Sequence, residues 1–201
     1  MFKNIMNFIK NASKPTNELR NRIFLFIAYE LEGRGYDKDD PAGATIYGLT
    51  RMYTPKHYNA VLEAASSGDK EQLNNAIIKA YTEIYNDYHC DILQFPVDMY
   101  YFDFAFNAGS HAVATLQSAA NIIIIDKNMN LPKLVVDGVF GRHTRKTVKA
   151  VAKYKHELYI ELKHKRHQFY LHNPLERYIK GWCNRCDKLE YLLDYLLIQD
   201  N

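Results

Sequence analysis

Glu32 closes an apolar run that extends from Leu19 to Leu31, and Gly33 follows it. Behind it lies a turn-rich stretch from Tyr36 to Thr50, with Asp37, Asp39, Asp40, Pro41, Gly43 and Gly48. An acid on a fixed helix end, facing a polar loop that can hold water and sugar, is what cleavage of a glycosidic bond requires. A proton must reach the leaving oxygen and water must attack the sugar. Glu32 is the candidate general acid, because a carboxylic acid half-buried at a helix end keeps its proton more readily than one in water. The plainer alternative is a solvated glutamate on the last helical turn. Glu30 is the nearest rival; two residues away on a helix it points to another face, and it reads as surface.

Asp40 is the candidate second carboxylate. In an inverting reaction it would orient or deprotonate the attacking water, with the two carboxyls roughly 6.5–9.5 Å apart. Asp37 and Asp39 compete for that role, and a solvated loop or an Asx turn is the alternative for all three. Tyr36, Tyr47 and Asn107 are candidate glycan contacts. Aromatic faces stack on sugars, and an amide can bond an N-acetyl group through both donor and acceptor. With sixteen tyrosines in the chain, packing is the competing account of any one of them.

Other chemistries find little support. The eight histidines form no HxxxH-type pair, and no G-x-S-x-G elbow or phosphate-binding glycine loop occurs. Cys183-Asn-Arg-Cys186 has CxxC spacing without a second ligand pair, and three cysteines are too few for a disulfide framework. On a helix these two thiols flank a packed stripe. No metal and no cofactor is expected.

The elements that must position the candidate residues read mostly as helix. Thr16 or Asn17 could cap a helix through Leu31. A short hairpin is expected around Thr45 to Leu49, and Thr54-Pro55 reads as a helix start. Leu73, Ile77, Tyr81 and Ile84 have helical spacing within Lys70 to Tyr88. Further helices are expected over Val97 to Asn107, Ser110 to Ile125, Val148 to Phe169 and Leu175 to Leu197, with a tight turn at Asp137-Gly138. At 201 residues and 47% hydrophobic, the chain can bury a sizeable core.

Four blocks, from about residue 22 to 190, resemble the muramidases of glycoside hydrolase family 108, which include phage endolysins and secretion-activator proteins. The first is Glu32-Gly-Arg-Gly-Tyr36, then Asp40-Pro-Ala-Gly43-Ala-Thr45-Ile-Tyr47-Gly48-Leu-Thr50. The second is Tyr81 to Gly109, a Tyr-rich helix followed by Phe102-Asp103-Phe-Ala-Phe-Asn107-Ala-Gly109. The third is Leu116-Gln117 with Asp137-Gly138-Val-Phe-Gly141-Arg-His-Thr144, similar to peptidoglycan-binding-like modules. The fourth is Gly181-Trp182-Cys-Asn-Arg185. Arg34 departs from the family's Gly-Gly pair, and the loop before Gly43 is about two residues short, nearer the phage-lysozyme pattern. On that pattern Thr45 would position water; otherwise it is a strand-favouring β-branched residue.

The resemblance implies a mainly α, lysozyme-like fold. Residues 1–18 would be an N-terminal amphipathic arm, 19–95 the catalytic region and 96–201 a peptidoglycan-binding-like helical region packed with it. It implies hydrolysis of the β-1,4 bond between N-acetylmuramic acid and N-acetylglucosamine. A lytic transglycosylase and a non-catalytic wall-binding or secretion-associated protein are the alternatives. The partner is peptidoglycan, not nucleic acid: the nine Lys and Arg from Arg142 to Arg166, against Glu157 and Glu161, come with no base-reading motif. No apolar run reaches the ~18–20 residues of a membrane span. Without a clear signal peptide, the expected route to the periplasm or wall is a holin pore, a secretion machine or host lysis.

Overall fold

The structure, a computed structural model, describes residues 17–33 and 43–199. The proposed arm up to Lys14-Pro15 lies outside the described residues. The chain divides into two compact units, Met1–Ile84 and Tyr85–Asn201.

In the first unit, helix α1 (Asn17–Phe26) runs directly into a π-helical segment, Ile27–Glu32. The periodicity predicts one uniform helix; the last turns are instead widened. Gly33 ends the segment with φ 65°, and its N–H bonds to the Ala28 carbonyl at 2.9 Å, five residues back. Glycine suits that left-handed exit. After it come β1 (Thr45–Ile46) and β2 (Leu49–Thr50), an antiparallel pair with Thr45 opposite Thr50 and Ile46 opposite Leu49. Tyr47 and Gly48 connect them, both with positive φ (48° and 73°), the pattern a type I′ hairpin turn requires.

Helix α2 (Pro55–Ser66) opens with a proline, whose missing N–H would have had no helical partner there. The Thr54 hydroxyl fastens this start to β2, donating to the Thr50 carbonyl (3.0 Å) and accepting from the Thr50 N–H (2.9 Å). Helix α3 (Lys70–Asp87) is capped by Asp69, whose carboxylate accepts the N–H groups of Glu71 (2.8 Å) and Gln72 (3.2 Å). Phe24, Ile27, Leu49, Val61, Ile77 and Tyr81 form the buried centre of this unit.

In the second unit, α4 (Val97–Ala108) buries an unbroken run from Met99 to Ala105. A helix apolar on every side belongs in a core. Around it pack α5 (Ser110–Asp126), α7 (Lys155–Leu171) and α8 (Glu176–Gln199). Asp103 sits in this core as a charge. It accepts from Arg166 (2.6 Å) and from Arg185 (2.5 and 3.2 Å), and burial, which alone would raise its pKa, is outweighed by these two guanidiniums, which hold it low. Arg166 lies over the rings of Tyr100, Phe104 and Tyr170 at 4.9–5.5 Å, so the cation is met by π faces as well as by the carboxylate.

The stretch expected as one long helix from Val148 is divided. Helix α6 (Arg142–Val151) is followed by a tight 3₁₀ turn, Ala152–Tyr154, before α7 begins. No glycine or proline stands at the break, so the sequence carries no local signal for it. The two halves have different partners: α6 packs on α5 and on the Cys90–Ile92 turn, α7 on α4, α5 and α8. The basic run is likewise not one face. Arg166 is fully buried, and Lys163 pairs with Asp194.

Gln117 explains the Leu116-Gln117 and Asp137-Gly138 blocks. From α5 its carbonyl accepts the N–H groups of Asp137 and Gly138, both at 3.0 Å, while its amide donates to the Asp137 carboxylate (2.8 Å), the Val139 carbonyl and the Thr144 hydroxyl (both 3.1 Å). One buried side chain thus shapes the whole turn.

The mainly α, lysozyme-like class with a short hairpin after the Glu32 helix is what the structure has. Among the described residues no helix is long and apolar enough to cross a membrane, and no cluster of His, Cys, Asp and Glu could hold a metal. Cys183 and Cys186 lie on α8; burial pushes the Cys186 thiol up to about 11, which suits packing rather than nucleophilic chemistry.

Candidate active site

Glu32 is the last residue of the π-helical segment. Such segments are uncommon and recur at functional sites, because the widened turn shifts where the following side chains point. The Glu32 side chain is half-buried and its Oε1 atom is shielded from solvent. Glu30, two residues earlier, is exposed, in keeping with its reading as surface.

The hairpin is tied to the residue that follows Glu32. The Tyr47 N–H donates to the Gly33 carbonyl at 2.9 Å. From the other side, the Tyr81 hydroxyl on α3 donates to the Tyr47 carbonyl at 2.9 Å. The Tyr47 ring packs edge-on against Tyr29 with centroids 5.2 Å apart, and the Tyr29 hydroxyl donates to Asn74 at 2.7 Å. Backbone and rings therefore connect the acid's helix end, the hairpin turn and α3. This matters chemically because a general acid works only when held within hydrogen-bond reach of the oxygen it protonates.

Tyr47 is 4% exposed, so its ring is a packing element of this strap and offers no open face to a sugar. Thr45, at the start of β1, is half-buried, and its hydroxyl donates to the Gly43 carbonyl at 3.1 Å. Used as a donor there, the hydroxyl oxygen retains acceptor capacity for a water. Asp40 and its rivals Asp37 and Asp39, together with Tyr36, lie outside the described residues. Asn107 is on the last turn of α4 in the second unit, exposed, with its amide donating to the Asp103 carbonyl at 2.7 Å.

The structure thus brings Glu32's helix end, Tyr47 and the hairpin that begins at Thr45 together within one unit. Sequence reasoning missed Tyr29 and Asn74, and missed the part that Tyr81 plays in the strap. Helical spacing marks Tyr81 as core-facing, but a hydroxyl aimed at a backbone carbonyl 34 residues away leaves no local pattern.

Residues 27–109 match the family model described as Glycosyl hydrolase 108. No curated protein and no solved structure matches the chain. The matched span opens with the π-helical segment, contains Glu32, the hairpin and the strap, and ends at Gly109 after α4; over these residues the chain is similar to the glycosyl hydrolase 108 family.

Proposed function

We propose that this protein is a glycosyl hydrolase that acts on peptidoglycan, cutting the β-1,4 bond between N-acetylmuramic acid and N-acetylglucosamine. Glu32 delivers a proton to the leaving oxygen. A water positioned by Thr45 and deprotonated by Asp40 attacks the anomeric carbon, so that the sugar leaves with a reducing end. Tyr36 and Asn107 contact the glycan, and the second unit helps hold the chain on the wall. The reaction needs no cofactor. It takes place in the periplasm or at the wall, reached through a holin pore or a secretion machine.

The observation that carries this reading is the placement of Glu32. It ends a π-helical segment whose next residue is bonded to the hairpin turn, within the span that matches the family. Digestion of purified sacculi by wild type and Glu32→Gln, with mass spectrometry of the released ends, tests it. Reducing muramic ends from wild type, with a loss of about a hundredfold or more in the variant, are expected. Anhydro ends would move the assignment to a lytic transglycosylase. Release by neither protein from several wall types would leave a wall-binding protein.

A further inference from the structure

The loop 131–139 and the start of α6 lie side by side in the second unit and enclose a cavity of about 490 Å³. On that loop Val135, Val136 and Val139 are 76%, 51% and 62% exposed. Grouped so closely in the chain, they make an apolar patch that folding does not use. The backbone beneath them is fixed. Asn121 clamps Leu134, accepting its N–H at 2.7 Å and donating to its carbonyl at 2.9 Å. Gln117 holds the N–H groups of Asp137 and Gly138, both at 3.0 Å. The valines are therefore presented to solvent on a loop tied down on both sides of Val135 and Val136.

Cations stand beside them. Arg142, Lys146 and Lys149 recur at i, i+4 and i+7 on α6 and are all exposed, while Thr144, Thr147, Val148 and Val151 of the same helix are buried. Lys133 adds a fourth exposed cation from the loop. Lys133, Arg142 and Lys146 line the cavity together with Val135 and Val139, so charge and apolar surface share one face. None of the four cations is in an ion pair among the described residues. Asp137 is the one acid between Leu131 and Val151, and its carboxylate is taken up by the Gln117 amide (2.8 Å) and the Val139 N–H (2.9 Å).

We propose that this face binds the surface of an anionic phospholipid bilayer, with lipid phosphates seated among Lys133, Arg142 and Lys146 and with Val135, Val136 and Val139 entering the acyl boundary. Simpler partners each satisfy half of it. A hydrated polyanion, such as nucleic acid or a wall polymer, meets the cations and leaves the valines in water. An apolar protein face covers the valines and leaves the cations without a counter-charge. A bilayer of anionic lipid offers phosphates at its surface and hydrocarbon just beneath. Attachment of this kind takes both signals, because a few small apolar side chains or a few cations alone hold a protein only weakly. The binding is separate from the hydrolase reading and involves no glycan.

The test mixes the full chain with unilamellar vesicles of phosphatidylcholine, or of phosphatidylcholine and phosphatidylglycerol in equal parts, and reads the bound fraction by flotation. Binding to the anionic vesicles is expected to be at least about tenfold tighter than to the neutral ones and to weaken as salt rises. Lys146→Glu combined with Lys149→Glu is expected to weaken it at least about tenfold. Val135→Ser combined with Val136→Ser leaves every charge in place and is expected to weaken it at least about fivefold, which keeps the test open if the charge reversal fails to fold. Val136→Trp reads depth. Bromines on the acyl chains should quench its fluorescence more than that of wild type, whose single tryptophan is Trp182 on α8.

No binding to anionic vesicles, or equal binding to neutral ones, would overturn the assignment. So would binding that the paired serine substitutions leave unchanged, which would show a face that reads charge alone. Vesicle binding with inactive sacculus digestion would sink the hydrolase reading and leave this face standing; active digestion without vesicle binding would sink this proposal alone.

Discussion

Arg185 and Asp103, 82 residues apart in sequence, meet inside the second unit, where the guanidinium of Arg185 reaches the carboxylate of Asp103 at 2.5 Å. Two of the sequence blocks that seemed to speak of chemistry, Phe102-Asp103 and Gly181-Trp182-Cys-Asn-Arg185, therefore speak first of structure. With Arg166 they form a buried triad, and the Trp182 ring lies near-parallel to Tyr170, which itself faces Arg166. Asp103→Asn leaves two guanidiniums in the core without their counter-charge. It is expected to cost about 3–5 kcal/mol, read from denaturant unfolding, whereas replacing the whole triad by apolar residues of similar volume should cost much less.

The same carboxylate sets an acid limit. Burial alone would raise the Asp103 pKa, but Arg185 and Arg166 hold it below its ordinary value of 3.8. A depressed folded pKa contributes stability that is present above the unfolded value and lost as pH falls through the folded one. Unfolding free energy from this group should be flat from neutral pH to about pH 4 and fall below it. The stability gap between wild type and Asp103→Asn, measured as a function of pH, should narrow in that acid window.

Tyr81→Phe separates positioning from packing in the candidate active site. The ring, which meets Phe24 edge-on at 5.7 Å, remains, and only the hydroxyl bond to the Tyr47 carbonyl is lost. The stability cost should be about 1 kcal/mol. Because the strap reaches the residue after Glu32, kcat should fall by about tenfold or more with KM little changed. A loss in KM alone would place Tyr81 outside the positioning of the acid.

Gly138→Ala tests the turn that Gln117 shapes. The position has φ 74°, and the added methyl would press on the Ser110 carbonyl oxygen. A loss of about 1–3 kcal/mol is expected in thermal unfolding. The neighbouring Gly141 has open space where a Cβ would stand, and its φ of −87° is one any residue adopts, so Gly141→Ala should be nearly neutral.

Much of the fold is written locally. Thr54-Pro55 begins α2, the positive-φ pair Tyr47-Gly48 joins the hairpin, and apolar spacing marks α3, α4 and α5 close to their observed limits. These features depend on residues within a turn or two of each other, so composition and period carry them. The position of Glu32 at a helix end before a glycine exit was legible for the same reason. What periodicity cannot carry is the π-helical widening beneath Glu32, because a segment of six residues is too short to set a period of its own.

Three further features needed the tertiary structure. Tyr47 has the composition of a sugar-stacking residue, yet its ring is used inside the strap with Tyr29. Arg166 counts as part of a basic stretch, yet it is wholly buried against Asp103. The stretch from Val148 to Phe169 reads as one helix, yet it divides between two sets of neighbours. By itself the sequence determined the helices, the hairpin and the acid at the helix end, since each follows from short-range sterics and hydrogen bonding. Which charge meets which, which aromatic ring is spent on packing and where a long stripe must bend were decided only when distant helices packed, because burial and ion pairing depend on neighbours far along the chain.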